Sequence, residues 1–432
     1  MVRKSLKILV LSSPSIKSGP AVIAEHYYRA LRREGHEVDL MLCEPEKEHP
    51  EYLHAVEPGY RYKILPKLKR RFYSLISGLN TNSNYIFCYD KEVHPPIPVR
   101  KILNQINKQY NLILVVFWQH MLSFKTIDSL YEKLHCQFQF IGVDYSHMSG
   151  GCHFTGDCDN YKVGCGNCPA VIVNCKNDFT AWNVKYRRKV YEKVKPIVYG
   201  NQYMMNFYKH SFLLRDARCE ILKSAIIDTD LFKPLNPVPL KAKYEIPDDK
   251  KFVIFFACQN LNDDRKGIKY LIKALLLFKE LVDNNGSSVM VITAGKNYDN
   301  IRELIPFDSI GYGMVPINML PELFSIASCF VCPSVNDAGP MMVNQSLCCA
   351  TPVVGFEMGS VYELVKSTGA GISVPIKDSK ALAMGLYEMY NMGKDQYHKM
   401  KVLARETALN SCSFKASADR IIDVYKKYDN NH

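Results

Sequence analysis

No apolar run in this sequence approaches the roughly 18–20 residues that a bilayer-spanning helix requires, so the chain is expected to be soluble or at most peripheral on a membrane. A secretory leader is not expected either. In "MVRKSLKILVLSSPS" the apolar run Ile8–Leu11 is far shorter than a signal-peptide core, and no small-residue cleavage site accompanies it. The segment reads instead as a first buried strand, and the expected location is the cytoplasm. Low-complexity tracts are absent as well, and 47% hydrophobic with 23% charged residues is an ordinary globular balance, which excludes extended disorder.

At 432 residues the chain is long enough for two or three domains. Its formal net charge of +12 favours anionic partners such as nucleotides, nucleic acid or an acidic membrane surface. Fifteen cysteines in a reducing compartment are poor candidates for disulfides. Four of them crowd into "YSHMSGGCHFTGDCDNYKVGCGNCPAV", residues 145–171: Cys152, Cys158, Cys165 and Cys168, in the spacing C-x5-C-x6-C-x2-C. Four thiolates complete a closed tetrahedral zinc shell, which is structural because it leaves no position for substrate. Unligated buried thiols and disulfides remain open alternatives, and His153 is a substitute ligand. In each case the segment would fix a glycine-rich loop.

Hydrophobic periodicity gives the organisation. "LKILVLSS" reads as a strand, "AVIAEHYYRALRREG" as a helix and "HEVDLMLC" as the next strand, followed later by "YNLILVVFWQ" and "FQFIGVDYSH". The proline-bearing stretch "ILKSAIIDTDLFKPLNPVPLK" marks a linker, after which "KFVIFFACQN", "SVMVITAG", "CFVCPS" and "TPVVGF" repeat the pattern. Two successive βα series imply an α/β protein of two doubly wound, Rossmann-like domains facing across a cleft, with ligands at the C-terminal strand ends.

The motifs "NDDRKGIKYLIKAL", "AGKN", "ASCFVCPSVNDAGPMMVNQSLCCATPVVGF" and "IDTDLFKP" together resemble glycosyltransferase family 4, whose members have the GT-B fold. "GGCHFTGDCDNYKVGCGNCP" is similar to a cysteine-rich insert of a bacterial polysaccharide branch of that family. The resemblance implies a retaining, hexosyl-type transferase using a UDP-, GDP- or ADP-sugar without a catalytic metal. It also implies a glycan acceptor, often polyprenyl-diphosphate-linked, in surface polysaccharide (capsule) synthesis. The expected division is an acceptor-binding domain over 1–205 carrying the insert 145–171, a donor-binding domain over 206–412, and a last helix over 413–432 crossing back to the first domain.

A leaving nucleoside diphosphate needs fixed cations and backbone donors. Arg265 and Lys266, ahead of a helix beginning near Gly267, fit that need, although relatives carry a further basic residue where this chain has Gln259 or Asn260. The family's E-x7-E pair falls on Asp337 and Gln345. Asp337 would meet sugar hydroxyls or simply cap the helix near Pro340, and Gln345 would accept from the ribose. Amides of Gly339, Met341 and Met342 are further donor contacts, and Gly19 matches the family's glycine loop. Where relatives often have His-Asp, this chain has Val143-Asp144. Asp144 would orient an acceptor hydroxyl or take its proton, or else form a turn, while His120 and His147 read as structural.

No nucleophile stands out, in keeping with the front-face displacement that the resemblance implies. The basic amphipathic stretch "YRYKILPKLKRRFYSLISGL", with Lys63, Lys67, Lys69, Arg70 and Arg71, would suit an anionic membrane or a solvated helix face equally. Dispersed basic residues and the double βα pattern argue against nucleic acid as the partner. The two lost glutamates keep a second expectation alive, a sugar-nucleotide-binding homologue without turnover that acts as a scaffold.

Overall fold

Short uninterrupted runs of Val, Ile, Leu and Phe are the pattern of parallel strands covered on both faces, and they build two sheets here. The structure, a computed structural model, describes residues 5–13, 19–56, 91–171, 175–282 and 287–429. The first unit comprises residues 1–222 and 417–432, the second residues 223–416.

In the first unit, strands β1 (Lys7–Ser12), β2 (Glu37–Leu42), β3 (Leu53–His54), β4 (Leu112–Phe117), β5 (Gln137–Ile141), β6 (Ile197–Gly200) and β7 (Arg218–Ile221) form one sheet. Their order is β3-β2-β1-β4-β5-β6-β7, parallel throughout. The direction of winding reverses between β1 and β4, and open α/β sheets bind ligands beyond the strand ends at such a point.

The second sheet holds β8 (Phe252–Asn260), β9 (Val289–Lys296), β10 (Asp308–Gly311), β11 (Cys329–Cys332), β12 (Val353–Phe356) and β13 (Gly371–Val374). The order β10-β9-β8-β11-β12-β13 puts its reversal between β8 and β11. Phe255, Phe324 and Phe330 pack edge to face on one side of this sheet, while Phe278 on the helix Ile268–Val282 fills the other.

Two expected boundaries shift. The first unit runs to Leu222 rather than 205, because residue 205 lies inside the helix Gln202–Tyr208 and the chain then adds β7 to the edge of β6. At the other end the first unit resumes at Ser417 rather than 413. The helix Phe414–Asp429 is held there by Gln137, whose Nε2 donates to Tyr425 O at 3.2 Å, and by Glu220, which accepts from Arg420, Lys427 and Tyr428 at 2.6–2.8 Å. Among the described residues no helix is long and apolar enough to cross a membrane.

Candidate functional site

In the second unit the sequence candidates converge on the β8/β11 reversal. A short turn, Asp264–Lys266, follows β8 and leads through Gly267 into the helix Ile268–Val282. Gly267 has φ +71°, and a β-carbon there would lie 1.9 Å from the carbonyl oxygen of Pro333. Only glycine tolerates both conditions, so this residue lets the turn lie against the segment after β11, where Val335 N also donates to Arg265 O at 2.8 Å.

That contact brings together residues 71 positions apart. Lys266 Nζ meets Asp337 Oδ2 at 2.5 Å, with the lysine side chain 25% exposed and the aspartate 10%. Burial works against the charge on Lys266, but the Asp337 carboxylate outweighs it and the lysine titrates above its usual value. Arg265 is turned to Asp263 Oδ2 at 2.6 Å.

Asp337 does not cap a helix. Its Oδ1 accepts from Gly339 N at 3.1 Å, and the helix Met341–Cys348 begins after Pro340 without a side-chain cap. The amides of Met341 and Met342 lie in that first turn, where a helix leaves donors without intrahelical acceptors. Gln345 is buried on the same helix, and its Oε1 has no hydrogen-bond partner among the described residues. A buried carbonyl oxygen left this way waits for a donor.

Gln259 and Asn260, in place of the expected earlier cation, are exposed at the end of β8. Sheet register pairs Asn260 with Lys296, the exposed last residue of β9. Sequence reasoning quoted "AGKN" but gave Lys296 no role, since only strand pairing reveals it as a cation beside the substituted position.

The first unit has its own cluster beyond β4 and β5. Asp144 is buried and fully engaged: Oδ1 accepts from Ser146 N at 2.8 Å and from the Ser146 hydroxyl, and Oδ2 meets His153 Nδ1 at 2.6 Å. Burial raises its carboxyl, but His153 and Ser146 outweigh that and hold it below the ordinary range. The His153 ring stacks on Phe117, the last residue of β4, at 5.6 Å between centroids. With Nδ1 on the carboxylate, Nε2 is the nitrogen left to interact. Asp144 is therefore a turn former and an anchor for a histidine, not a carboxylate with a free oxygen.

Ser12 Oγ at the end of β1 and both amide atoms of Gln119, two residues past β4, are buried without partners among the described residues. These orphans sit at the end of β1 and just past the end of β4, on the two sides of the β1/β4 reversal. His147 is structural: fully buried, Nε2 on Ile141 O at 3.1 Å, and pushed down to about 4 by burial. His120 adopts φ +68°. Gly19 is exposed at the start of the helix Gly19–Arg33, and the loop 14–18 before it lies outside the described residues, as does the basic stretch with Lys63, Lys67, Lys69, Arg70 and Arg71.

The insert is a coil pinned at several points. Arg187 on the helix Phe179–Val194 donates to Ser146 O at 2.6 Å and to Ser149 O, while pairing with Glu92 at 2.5 Å. Asp178 caps that helix through Thr180 N and Ala181 N and also accepts from Cys168 N at 2.9 Å. Cys152, Cys158, Cys165 and Cys168, all free thiols, line one small cavity with about 10 Å³ of open space. Burial raises each of these thiols, Cys165 to about 12 and Cys168 to about 11. His153 does not line the cavity.

Two all-parallel, Rossmann-like sheets with polar clusters at their reversal points define the GT-B class of α/β protein. Sucrose-phosphate synthase from Thermosynechococcus elongatus shares the fold with a TM-score of 0.64 and 15% identity, covering 99% of this chain and 100% of that one. Anabaena HepE, solved in complex with UDP-glucose, gives 0.62 and 13% over 98% and 100%. Residues 239–407 match the family Glycosyl transferases group 1, so the second unit carries a glycosyltransferase group 1 domain. Alpha-maltose-1-phosphate synthase of Mycolicibacterium smegmatis is 29% identical over 119 residues, 26% of this chain and 31% of that protein. The putative glycosyltransferase EpsD of Bacillus subtilis is 24% identical over 212 residues, 47% and 53% respectively. The chain thus spans 31% and 53% of the length of these two curated relatives.

Proposed function

We propose that the chain is a nucleotide-sugar-dependent glycosyltransferase that acts with retention and without a catalytic metal, transferring a hexosyl-type sugar to a glycan acceptor. The observation that carries this reading is the Lys266–Asp337 pair across the β8/β11 reversal, with the unpartnered Gln345 Oε1 on the helix that follows.

Breaking the glycosidic bond leaves negative charge on a diphosphate. Lys266 and the amides of Gly339, Met341 and Met342 supply fixed positive charge and donors for it, with Arg265 and Lys296 as neighbouring cations. Asp337 holds Lys266 extended in the meantime and accepts from sugar hydroxyls when the lysine turns to phosphate. Gln345 Oε1 accepts from a ribose hydroxyl. In the first unit, Asp144 fixes His153 with its Nδ1–H on the carboxylate, which leaves Nε2 to accept from a hydroxyl of the acceptor. The protein contributes orientation and charge stabilisation, with the donor phosphate taking the acceptor proton in a front-face displacement.

HepE holds UDP-glucose, which makes UDP the first nucleotide to try. A polyprenyl-diphosphate-linked acceptor, a role in bacterial surface polysaccharide, and cytoplasmic location with peripheral attachment to the inner membrane face through the basic stretch 60–79 complete the proposal. Unchanged liposome pelleting after removal of those charges would eliminate the attachment. A scaffold without turnover is the second reading, favoured by the neutral Gln345 where an acid is expected.

Calorimetric titration with UDP, GDP and ADP, without added metal, tests the donor site in the wild type and in Lys266→Ala. Binding of one nucleotide, weakened by the substitution, is expected. No binding at millimolar concentration overturns the donor-site assignment, and tight binding with no turnover across many acceptors favours the scaffold.

A further inference from the structure

The cysteine cavity has no part in that chemistry, and its construction points to a ligand of its own. We propose that Cys152, Cys158, Cys165 and Cys168 bind one zinc ion as a structural tetrathiolate site that sets the shape of the insert.

Four observations converge. First, the four side chains come from separate points of the insert yet line one cavity whose free space suits a single ion or water. No His, Asp or Glu shares that lining, so the donor set is sulfur alone. Soft sulfur donors, four in number, select zinc in a closed tetrahedral shell. Second, the backbone that carries the four cysteines is held in place by hydrogen bonds: Cys168 N donates to Asp178 Oδ2 at 2.9 Å, Cys165 N to Asn160 O at 2.7 Å and Cys158 N to Thr155 O at 3.0 Å, while Cys152 O accepts from the Ser149 hydroxyl at 2.8 Å. Such outer contacts orient metal ligands.

Third, Gly164, Cys165, Gly166 and Asn167 all have left-handed φ, at 103°, 60°, 86° and 46°. Two of these are not glycine, and a run of that kind persists only where something over-determines it. Fourth, the C-terminal end of the insert, Cys168 with Ala170 and Val171, forms a small buried cluster against Phe179, and a segment with so little apolar packing of its own gains from a bound metal.

Among the described residues no group of three or more His, Cys, Asp or Glu side chains stands in ligating geometry, so the proposal requires the four thiols to close around the ion when it binds. Coupling of this kind between binding and local folding is usual for structural zinc. Arg187 donates to the carbonyl of Ser149, which lines the cavity, and so places a positive charge beside a four-thiolate site. His153 follows Cys152 directly, so the site would also steady the histidine that Asp144 anchors.

The test begins with metal analysis of the purified full-length chain, expressed with added zinc and dialysed against EDTA. One zinc per chain is expected, released by a mercurial thiol reagent. Cys165→Ser combined with Cys168→Ser should lose it, whereas Cys175→Ser, at an exposed cysteine absent from the cavity lining, should keep it. Because the double variant can fail to fold, the wild-type chain is also loaded with cobalt(II), for which intense tetrahedral bands with sulfur-to-cobalt charge transfer are expected. Substoichiometric zinc, zinc retained undiminished by a folded double variant, an octahedral cobalt spectrum, or an intact mass showing disulfides in the insert would each overturn the proposal. Iron in place of zinc overturns the choice of metal.

Discussion

Replacing Arg187 by methionine should unfold the first unit far more readily than a loss of surface charge would. The Arg187 and Glu92 side chains are 3% and 4% exposed, and the guanidinium also serves the carbonyls of Ser146 and Ser149 while lying over the rings of Trp118 and Phe124. Methionine keeps much of the packing but leaves the Glu92 carboxylate buried without its counter-charge, at a cost of about 3–5 kcal/mol. Against a stability of ~5–15 kcal/mol for an ordinary domain, that is a large share. At ~2–4 °C per kcal/mol for a unit of this size, the midpoint should fall by about 6–20 °C. Urea unfolding followed by tryptophan fluorescence isolates the effect, because Trp118 and Trp182 are the chain's two tryptophans and both lie in the first unit. Adding Glu92→Leu should recover most of the loss, since an apolar pair of similar volume replaces a buried ion pair at little cost. A loss below about 1 kcal/mol for Arg187→Met, the range of an exposed ion pair, would refute the reasoning.

Three other outcomes are expected. His147, fully buried and neutral, is protonated only near pH 4 when folded but near 6.5 when unfolded. The unfolded chain binds the extra proton between those values, so the first unit should lose about 3 kcal/mol as pH falls from 6.5 to 4, and H147Q should flatten that slope in pH-dependent urea unfolding. Gly267→Ala adds a β-carbon against the Pro333 carbonyl at a left-handed position. It should cost the second unit at least ~1–3 kcal/mol and weaken nucleotide binding, read by denaturation and calorimetry; an unperturbed variant would show that the turn can shift freely. For Glu220, burial raises the carboxyl, but Lys427, Tyr428 and Arg420 outweigh it and hold it low. The hold on the last helix should therefore persist at neutral pH and fail as pH drops below the usual glutamate value of about 4.3, which acid-active proteolysis of the C-terminus would detect.

The long buried strands were legible because a parallel strand covered on both faces writes itself as an apolar run, as "KILVLS" and "VMVITA" do. β7, "RCEI", was not, since it lies at the sheet edge with only Glu220 buried and carries no such run. Its omission misplaced the first boundary. In the second unit Lys266, Asp337 and Gln345 were candidates through the family motifs the sequence resembles, and the structure adds that the first two meet. The Asp144–His153 contact was not legible, because it depends on the path of an irregular coil rather than on any period. Nor was Glu92–Arg187, whose partners stand 95 residues apart. Lys296 needed the pairing of β8 with β9 to acquire a neighbour.

The return of residues 417–429 to the first unit has a consequence for how the protein is made. On the ribosome, β1 to β7 emerge first, yet Gln137, Gln139 and Glu220 keep their partners on the last helix only after the whole of residues 223–416 has been synthesised. At roughly 5–20 residues per second, that interval is on the order of 10–40 s. Through it the nascent first unit presents an uncovered face, a natural binding place for chaperones, and a chain released early would carry a finished second unit beside an unfinished first.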